Sequence, residues 1–354
     1  MARLALERAL PATWVDEVFE VHRNRQYPRE LMFSTIVELM TLVTLGPLRG
    51  HRGAALPGHS LVVYDPDLGL VCDVVACEDA YESERAGQLW IADRHFCTHT
   101  IMQGWSRAGA EFIVREHARH PRLSRHGCWS GYERIDTGRV REQAIEVRVV
   151  HDDACQARPP SWRRIEIELD TPTEAGETVI GLWSNLPAQV DAATIAALYR
   201  KRWRIESMFQ RLESVLHSEI KSLGHPRAAL LGFTVAVLAY NVVSLLQRAV
   251  EQAHHESAPQ LEVSSYHLAE HIKSGYEGML IALPAEHWPS AAEASAQSLA
   301  QRLLHLARRI SPTQVATSKR GPKIDKPTGY VDGSIARAHV CTARVLKKAR
   351  AERP

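Results

Sequence analysis

Two carboxylates in this sequence sit where their surroundings could put them to chemical use. Asp93 closes the apolar run Leu89-Trp90-Ile91-Ala92 and is followed by Arg94. An acid at the C-terminal end of a central strand is where open α/β sheets place their sites; the same aspartate could equally cap a following helix. Glu206 lies within Tyr199-Arg200-Lys201-Arg202-Trp203-Arg204-Ile205-Glu206-Ser207-Met208-Phe209. On a continuous helix, spacings of three and four put Tyr199, Arg202 or Trp203, Glu206, and Phe209 or Gln210 on one face. Flanked by Ile205, Met208 and Phe209, this carboxylate is expected near the core, with Arg202 placed to orient it. An ordinary surface Arg–Glu pair is the plainer reading. Arg200, Lys201, Arg202, Arg204 and Arg211 make the same stretch a candidate phosphate-facing surface.

The chemistry that unites these features is metal-assisted phosphoryl transfer. Mg²⁺ prefers hard oxygen ligands and keeps several waters. Two such ions ~3.5–4 Å apart clamp the attacking and leaving oxygens of an in-line displacement. That arrangement needs about three converging carboxylates. The bases would hold DNA through phosphates, contacts that carry no sequence information.

The elements that must position these residues alternate in character. Residues 1–46 read as helical, with Trp14, Val15, Val18 and Phe19 at helical spacing and a second apolar run over Leu31–Leu45. Ser60–Tyr64 and Leu70–Ala76 flank Asp65-Pro66-Asp67-Leu68-Gly69, a hairpin signal. Gln88–Ala92 and Glu111–Arg115 are further strands around a helix over Phe96–Ala108. Residues 119–186 carry period-two alternation at Arg139–Val150 and Arg163–Leu169, with another strand at Thr178–Ser184. This block reads as an antiparallel β insertion. Asp191 starts a helix that continues through Tyr199, Trp203, Phe209, Leu212 and Leu216 until Gly224-His225-Pro226 interrupts it. Helices over His267–Lys273 and Ala291–Arg309 complete the folded part.

Composition bounds the class. The chain has 354 residues, 45% hydrophobic and 24% charged, with a net charge of +2. That is room for two or three domains and an ordinary globular balance. Six cysteines without a CxxC pair make neither a disulfide framework nor a closed zinc site; Cys72, Cys77 and His99 have the wrong spacing. Ala228–Gln247 carries no charge over a membrane-span length. Thr234, Asn241 and Ser244 within it favour a buried helix over a single membrane span, and no membrane association is expected. From Ser311 onward, ten basic residues face three acidic ones, a solvated tail or a nucleic-acid contact.

Tyr199-x2-Arg202-x3-Glu206 resembles the Tyr-x2-Arg-x3-Glu-x6-Lys signature of insertion-sequence DDE transposases of the insertion sequence four class. Trp90-Ile91-Ala92-Asp93-Arg94 resembles the second-aspartate block of that family, and the likeness spans about residues 50–250. The resemblance implies an α/β fold: an RNase H-like core with an inserted antiparallel β subdomain and flanking helices. It implies cut-and-paste DNA transposition with Mg²⁺, or Mn²⁺. Asp93 and Glu206 would be the catalytic metal ligands, supported by Tyr199 and Arg202. Arg200, Lys201, Arg204 and Arg211 would contact DNA at the element ends. A homodimer would form in the synaptic complex, in the cytoplasm on the bacterial nucleoid.

Two departures shape the expectation. The signature lysine position holds Glu213, a reversal of charge. No strand bearing an aspartate precedes the Arg49–Gly58 stretch, where the family carries its first catalytic Asp. Only Cys77–Gln88 is left for the crossover before Asp93, near the minimum length. The sequence therefore reads as an internally deleted copy, with the first core strand and crossover helix missing from the core. The expected divisions are 1–46 helical, 47–118 first part of the core, 119–186 β insertion, 187–250 remainder of the core, 251–310 helices and 311–354 basic tail. Such a copy would be catalytically defective; a non-catalytic regulatory protein that occupies element ends is the alternative.

Overall fold

The computed structural model describes residues 1–22, 59–77, 87–117, 123–147, 161–173, 175–216, 226–284, 287, 291 and 293–318. The expected helix over Leu31–Leu45, the Arg49–Gly58 stretch, most of the Cys77–Gln88 crossover and nearly all of the basic tail lie outside these residues.

Residues Met1–Ala316 form one compact unit. Its N-terminal helices are α1 (Ala2–Ala9) and α2 (Ala12–His22), and a hairpin of β1 (His59–Asp65) and β2 (Leu70–Cys77) follows. Next come β3 (Leu89–Ala92), α3 (His99–Arg107) and β4 (Glu111–Arg115). The β-rich block contributes β5 (Leu123–His126), β6 (Glu133–Ile135), β7 (Gly138–Val147), β8 (Ser161–Leu169) and β9 (Val179–Ser184). Helices α4 (Ala192–Arg200), α5 (Trp203–Ser214), α6 (Pro226–Ala253), α7 (Ser265–Ala282), α8 (Ala296–Ala307) and α9 (Pro312–Val315) complete it.

β3 and β4 are parallel and joined through α3, as a parallel pair requires. The other pairings of the seven-stranded sheet are antiparallel, in the order β3-β4-β9-β8-β7-β5, with β6 also on β7. The strands of the 119–186 block thus continue this sheet through β9. Alternation decides its layers. Phe112 and Val114 of β4 turn to one face with Trp162, Trp183 and α3 residues Ile101, Met102 and Trp105. Ile113 turns to the other, with Ile165, Leu182 and α4 residues Ile195, Ala196 and Tyr199. The result is helix, sheet, helix. On the α3 side, Trp105 stacks on Trp90 with centroids 5.9 Å apart, and Phe112 meets Trp162 edge-on at 5.1 Å. Pairs of this kind contribute about 0.5–1.5 kcal/mol beyond their burial.

The hairpin does not join that sheet. β1 and β2 pair only with each other among the described residues, and Val62 and Val71 pack into a second core centred on α6. This 28-residue helix is long and apolar enough to cross a membrane from Leu230 to Ala253, yet 61% of its most apolar window is buried inside the protein. Ala236, Tyr240, Val243 and Leu246 lie at the centre of a cluster that also takes in α1, α5, α7 and α8. Its polar side chains are matched. Asn241 Oδ1 accepts from the Val71 N–H at 2.9 Å and Asn241 Nδ2 donates to the Val71 carbonyl at 2.8 Å. Gln247 donates to the Val263 carbonyl.

Asn241 therefore closes the outer edge of β2. Replacing Asn241 with Leu leaves a half-buried N–H and C=O of Val71 unpaired, which costs about 1–3 kcal/mol. Urea denaturation of Asn241→Leu should show that loss, and a change below ~0.5 kcal/mol would show that the clamp contributes little.

Candidate functional site

Asp93 follows the last residue of β3, at its C-terminal end, as the sequence predicts. It does not serve as a helix cap. The turn Arg94–Phe96 has no side-chain capping bond from Asp93, and Thr98 caps α3 by accepting from the Ile101 N–H. Asp93 Oδ1 is buried without a hydrogen-bond partner, a state that costs free energy unless something compensates it. The parallel register that pairs Ala92 with Val114 sets Arg115 beside Asp93 at the ends of neighbouring strands. Arg115 pairs with Glu177, and Arg94 approaches the same carboxylate at 3.8 Å. Sequence reasoning missed Arg115 and Glu177; an arginine closing a strand next to the Asp93 strand was the available signal.

The expected continuous helix is broken between Arg200 and Trp203. Lys201, Arg202, Arg204 and Ile205 donate to carbonyls three residues back rather than four, the tighter turn typical of helix ends. The break separates the predicted face. Tyr199 is buried in the core beneath the sheet, whereas Trp203 is 61% exposed. Glu206 is less enclosed than expected: its side chain is 43% exposed, against 12% for Arg202, which it meets at 2.9 Å.

Arg202 is the hub. Its guanidinium lies 5.8 Å from the Tyr199 ring and 5.5 Å from the Trp203 ring, within cation–π range. Burial works against its charge, but Tyr199, Asp93 and Glu206 together outweigh that and hold it more firmly protonated than a free arginine. Burial likewise raises the Tyr199 phenol above its ordinary range, opposed by Arg202 and reinforced by Asp93. Arg202 thus senses both predicted acids. Its Nε and the Tyr199 hydroxyl are buried without partners.

The remaining predicted bases are not equivalent. Lys201 meets both oxygens of Asp67 at 2.8 Å. Arg204 donates to the Pro66 carbonyl at 2.5 Å and lies 3.7 Å from Asp67. Asp65 shapes this hairpin turn by accepting from the N–H groups of Asp67 and Leu68. The turn is therefore latched to the helix break. Arg200 lies 3.6 Å from the exposed Asp136, and Arg211 is exposed on α5.

A cavity of about 340 Å³ opens between these elements. Leu61–Tyr64 of β1, Leu89–Asp93, and Lys201, Arg202, Ile205 and Phe209 line it.

The described unit is thus mixed α/β, with Asp93 at the end of a parallel strand and Glu206 on a helix that follows several bases. The transposase DDE domain family matches residues 57–242, just over half of the chain, and the protein belongs to that family. No curated protein matches it.

DDE transposases use divalent metal ions. The orphaned Asp93 Oδ1 suits a cation ligand. A two-ion site needs more, and the described residues do not supply one. Among the described residues no three His, Cys, Asp or Glu side chains come together, and Glu206 is committed to Arg202.

The latch has a pH signature. The hydrogen bond from Lys201 holds the Asp67 carboxyl below its usual range, against slight desolvation. A depressed folded pKa means that the latch is fully formed above the ordinary aspartate value near ~3.9 and opens as pH falls through the lower folded value. Carboxyl NMR titration should place the Asp67 midpoint below that of a free aspartate, and Lys201→Met should return it to the ordinary range. Coincident midpoints would mean that the pair does not persist in solution.

Proposed function

We propose that this chain is a DNA-binding member of the transposase family that has lost its cut-and-paste chemistry. In this reading it is an internally deleted copy of the insertion sequence four class, without the first core strand, the first catalytic aspartate and the crossover helix. The observation that carries the reading is that no third acid joins Asp93 and Glu206 among the described residues, while Asp93 Oδ1 is buried without a hydrogen-bond partner. The topology supports it: β1–β2 pairs only with itself and β3 ends the sheet among the described residues, as removal of one strand from between them would leave. Asp93 and Glu206 are then what remains of the metal-ligand set, with Tyr199 and Arg202 holding the second acid in place. Arg200, Lys201, Arg204 and Arg211 meet phosphates of the element ends, and two copies bring two ends together on the nucleoid.

Losing one carboxylate removes ligands from at least one of the two ions that the displacement needs, whereas phosphate contacts need no metal. The purified protein, given DNA from the ends that flank its gene, should bind without nicking in Mg²⁺ or Mn²⁺. Binding should weaken steeply with salt and ignore a chelator. Nicking would overturn the reading and direct mutagenesis to Asp65, Asp67 and Asp73. In a copy with a restored first strand, Glu206→Gln should abolish nicking and spare binding; unchanged nicking would remove Glu206 from its role.

A further inference from the structure

The cavity beside Asp93 has the outline of a strand position. Successive residues of a strand point to opposite faces, so a cavity lying on one face of a strand touches every second residue. This one is lined by unbroken runs on both sides, Leu61-Val62-Val63-Tyr64 and Leu89-Trp90-Ile91-Ala92-Asp93. It therefore meets two strand edges. Neither edge has a ladder partner on that side among the described residues: β1 pairs with β2 alone and β3 with β4 alone. A strand edge is a row of donors and acceptors ready to pair with another chain.

The walls say what could enter. Phe96, Ile101, Trp105, Ile205 and Phe209 close the slot above and below with apolar surface, which suits large aliphatic side chains on alternating faces of an entering strand. At the Asp93 end the chemistry changes. Asp93 Oδ1 needs a donor and Arg202 Nε needs an acceptor. A polypeptide backbone offers both kinds of group in alternation. Lys201 is already bonded to Asp67 and one arm of Arg202 to Glu206, so the group left for an entering carboxylate at that end is the unpartnered Arg202 Nε.

We propose that this slot is a β-augmentation site. Its occupant is an extended segment, about five residues long, of a second polypeptide, with alternating aliphatic side chains and a carboxylate at the end that reaches Arg202. Strand addition draws its affinity from main-chain hydrogen bonds and its specificity from pockets for alternate side chains. The inference goes beyond the reading of the chain as a DNA-binding protein: it requires neither DNA nor metal.

The test uses the full chain and a fluorescein-labelled eight-residue peptide that alternates valine with threonine and ends in aspartate. Anisotropy should rise saturably. Amide hydrogen exchange should slow at both Leu61–Tyr64 and Leu89–Ala92 when the peptide is present. N-methylation of alternate peptide nitrogens should weaken binding about tenfold or more, through the loss of two or three ladder bonds. Phe209→Asp, a change at an exposed position of the wall, should weaken it comparably while leaving the circular dichroism spectrum unchanged. Absence of binding at ~1 mM peptide, or binding indifferent to N-methylation, would overturn the proposal. So would exchange slowed at only one edge. Amides at both edges that are already protected before peptide is added would show that the chain closes the slot itself, and would overturn it too.

Discussion

The rest of the structure is arranged around the need to hide α6. A helix with no charge from Ala228 to Gln247 cannot leave that surface to water, because each fully buried aliphatic side chain is worth about 1.5–3 kcal/mol over an exposed one. α1, α5, α7, α8 and the β1–β2 hairpin all turn apolar residues towards it. The hairpin is held there by packing and by Asn241, which gives Val71 the pairing that a neighbouring strand would otherwise supply. The sheet has its own packing, with α3 on one side and α4 on the other. The polar cavity end with Asp93, Lys201 and Arg202 falls where the helix break passes from the α4-side core of the sheet to the core around α6.

Much of this was legible in the residue pattern. The period-two runs that became β7 and β8 needed no tertiary information, and neither did the turn residues that set the hairpin. The cap at Asp191, which accepts from the Thr194 N–H, follows from local chemistry. The break at Lys201-Arg202 was hidden because both residues keep right-handed helical dihedrals and only the hydrogen-bond register tightens. Nothing in side-chain periodicity reports that change, so the predicted face ran straight through it and Glu206 was expected too deep. α7 packs on the α6 core through Leu268 and Ile272 and runs on past Lys273 across Gly275 and Gly278, where its described residues are exposed and local propensity counts against a helix. Asp67 and Lys201 are 134 positions apart, and no spacing rule connects them.

Charge behaves in the same context-dependent way. The β7–β8 face is rich in arginine, yet Arg139 lies opposite Glu168 and Arg141 opposite Glu166 in register, each pair bonded across the strands. Arg163 takes Glu142 and Arg164 takes Glu116. Tyr132 and Trp129 lie against the same guanidinium groups. Cross-strand opposite charges stabilise a sheet by tenths of a kcal/mol to about 1 kcal/mol each, and they also cancel one another's field. A count of arginines therefore overstates the attraction of this surface for a polyanion.

The latch between the hairpin turn and the helix break has a consequence for ligand selection. Asp67 presents two anionic oxygens to Lys201, the same offer that a phosphate would make. Because it is tethered, it acts as a competitor whose effective concentration does not dilute. A single phosphate arriving from solution has to displace it and gains little. A ligand that engages several bases at once can absorb that loss across its other contacts. If Lys201 meets phosphates as proposed, the hairpin turn would act as a built-in threshold that favours an extended backbone over isolated phosphates and short fragments.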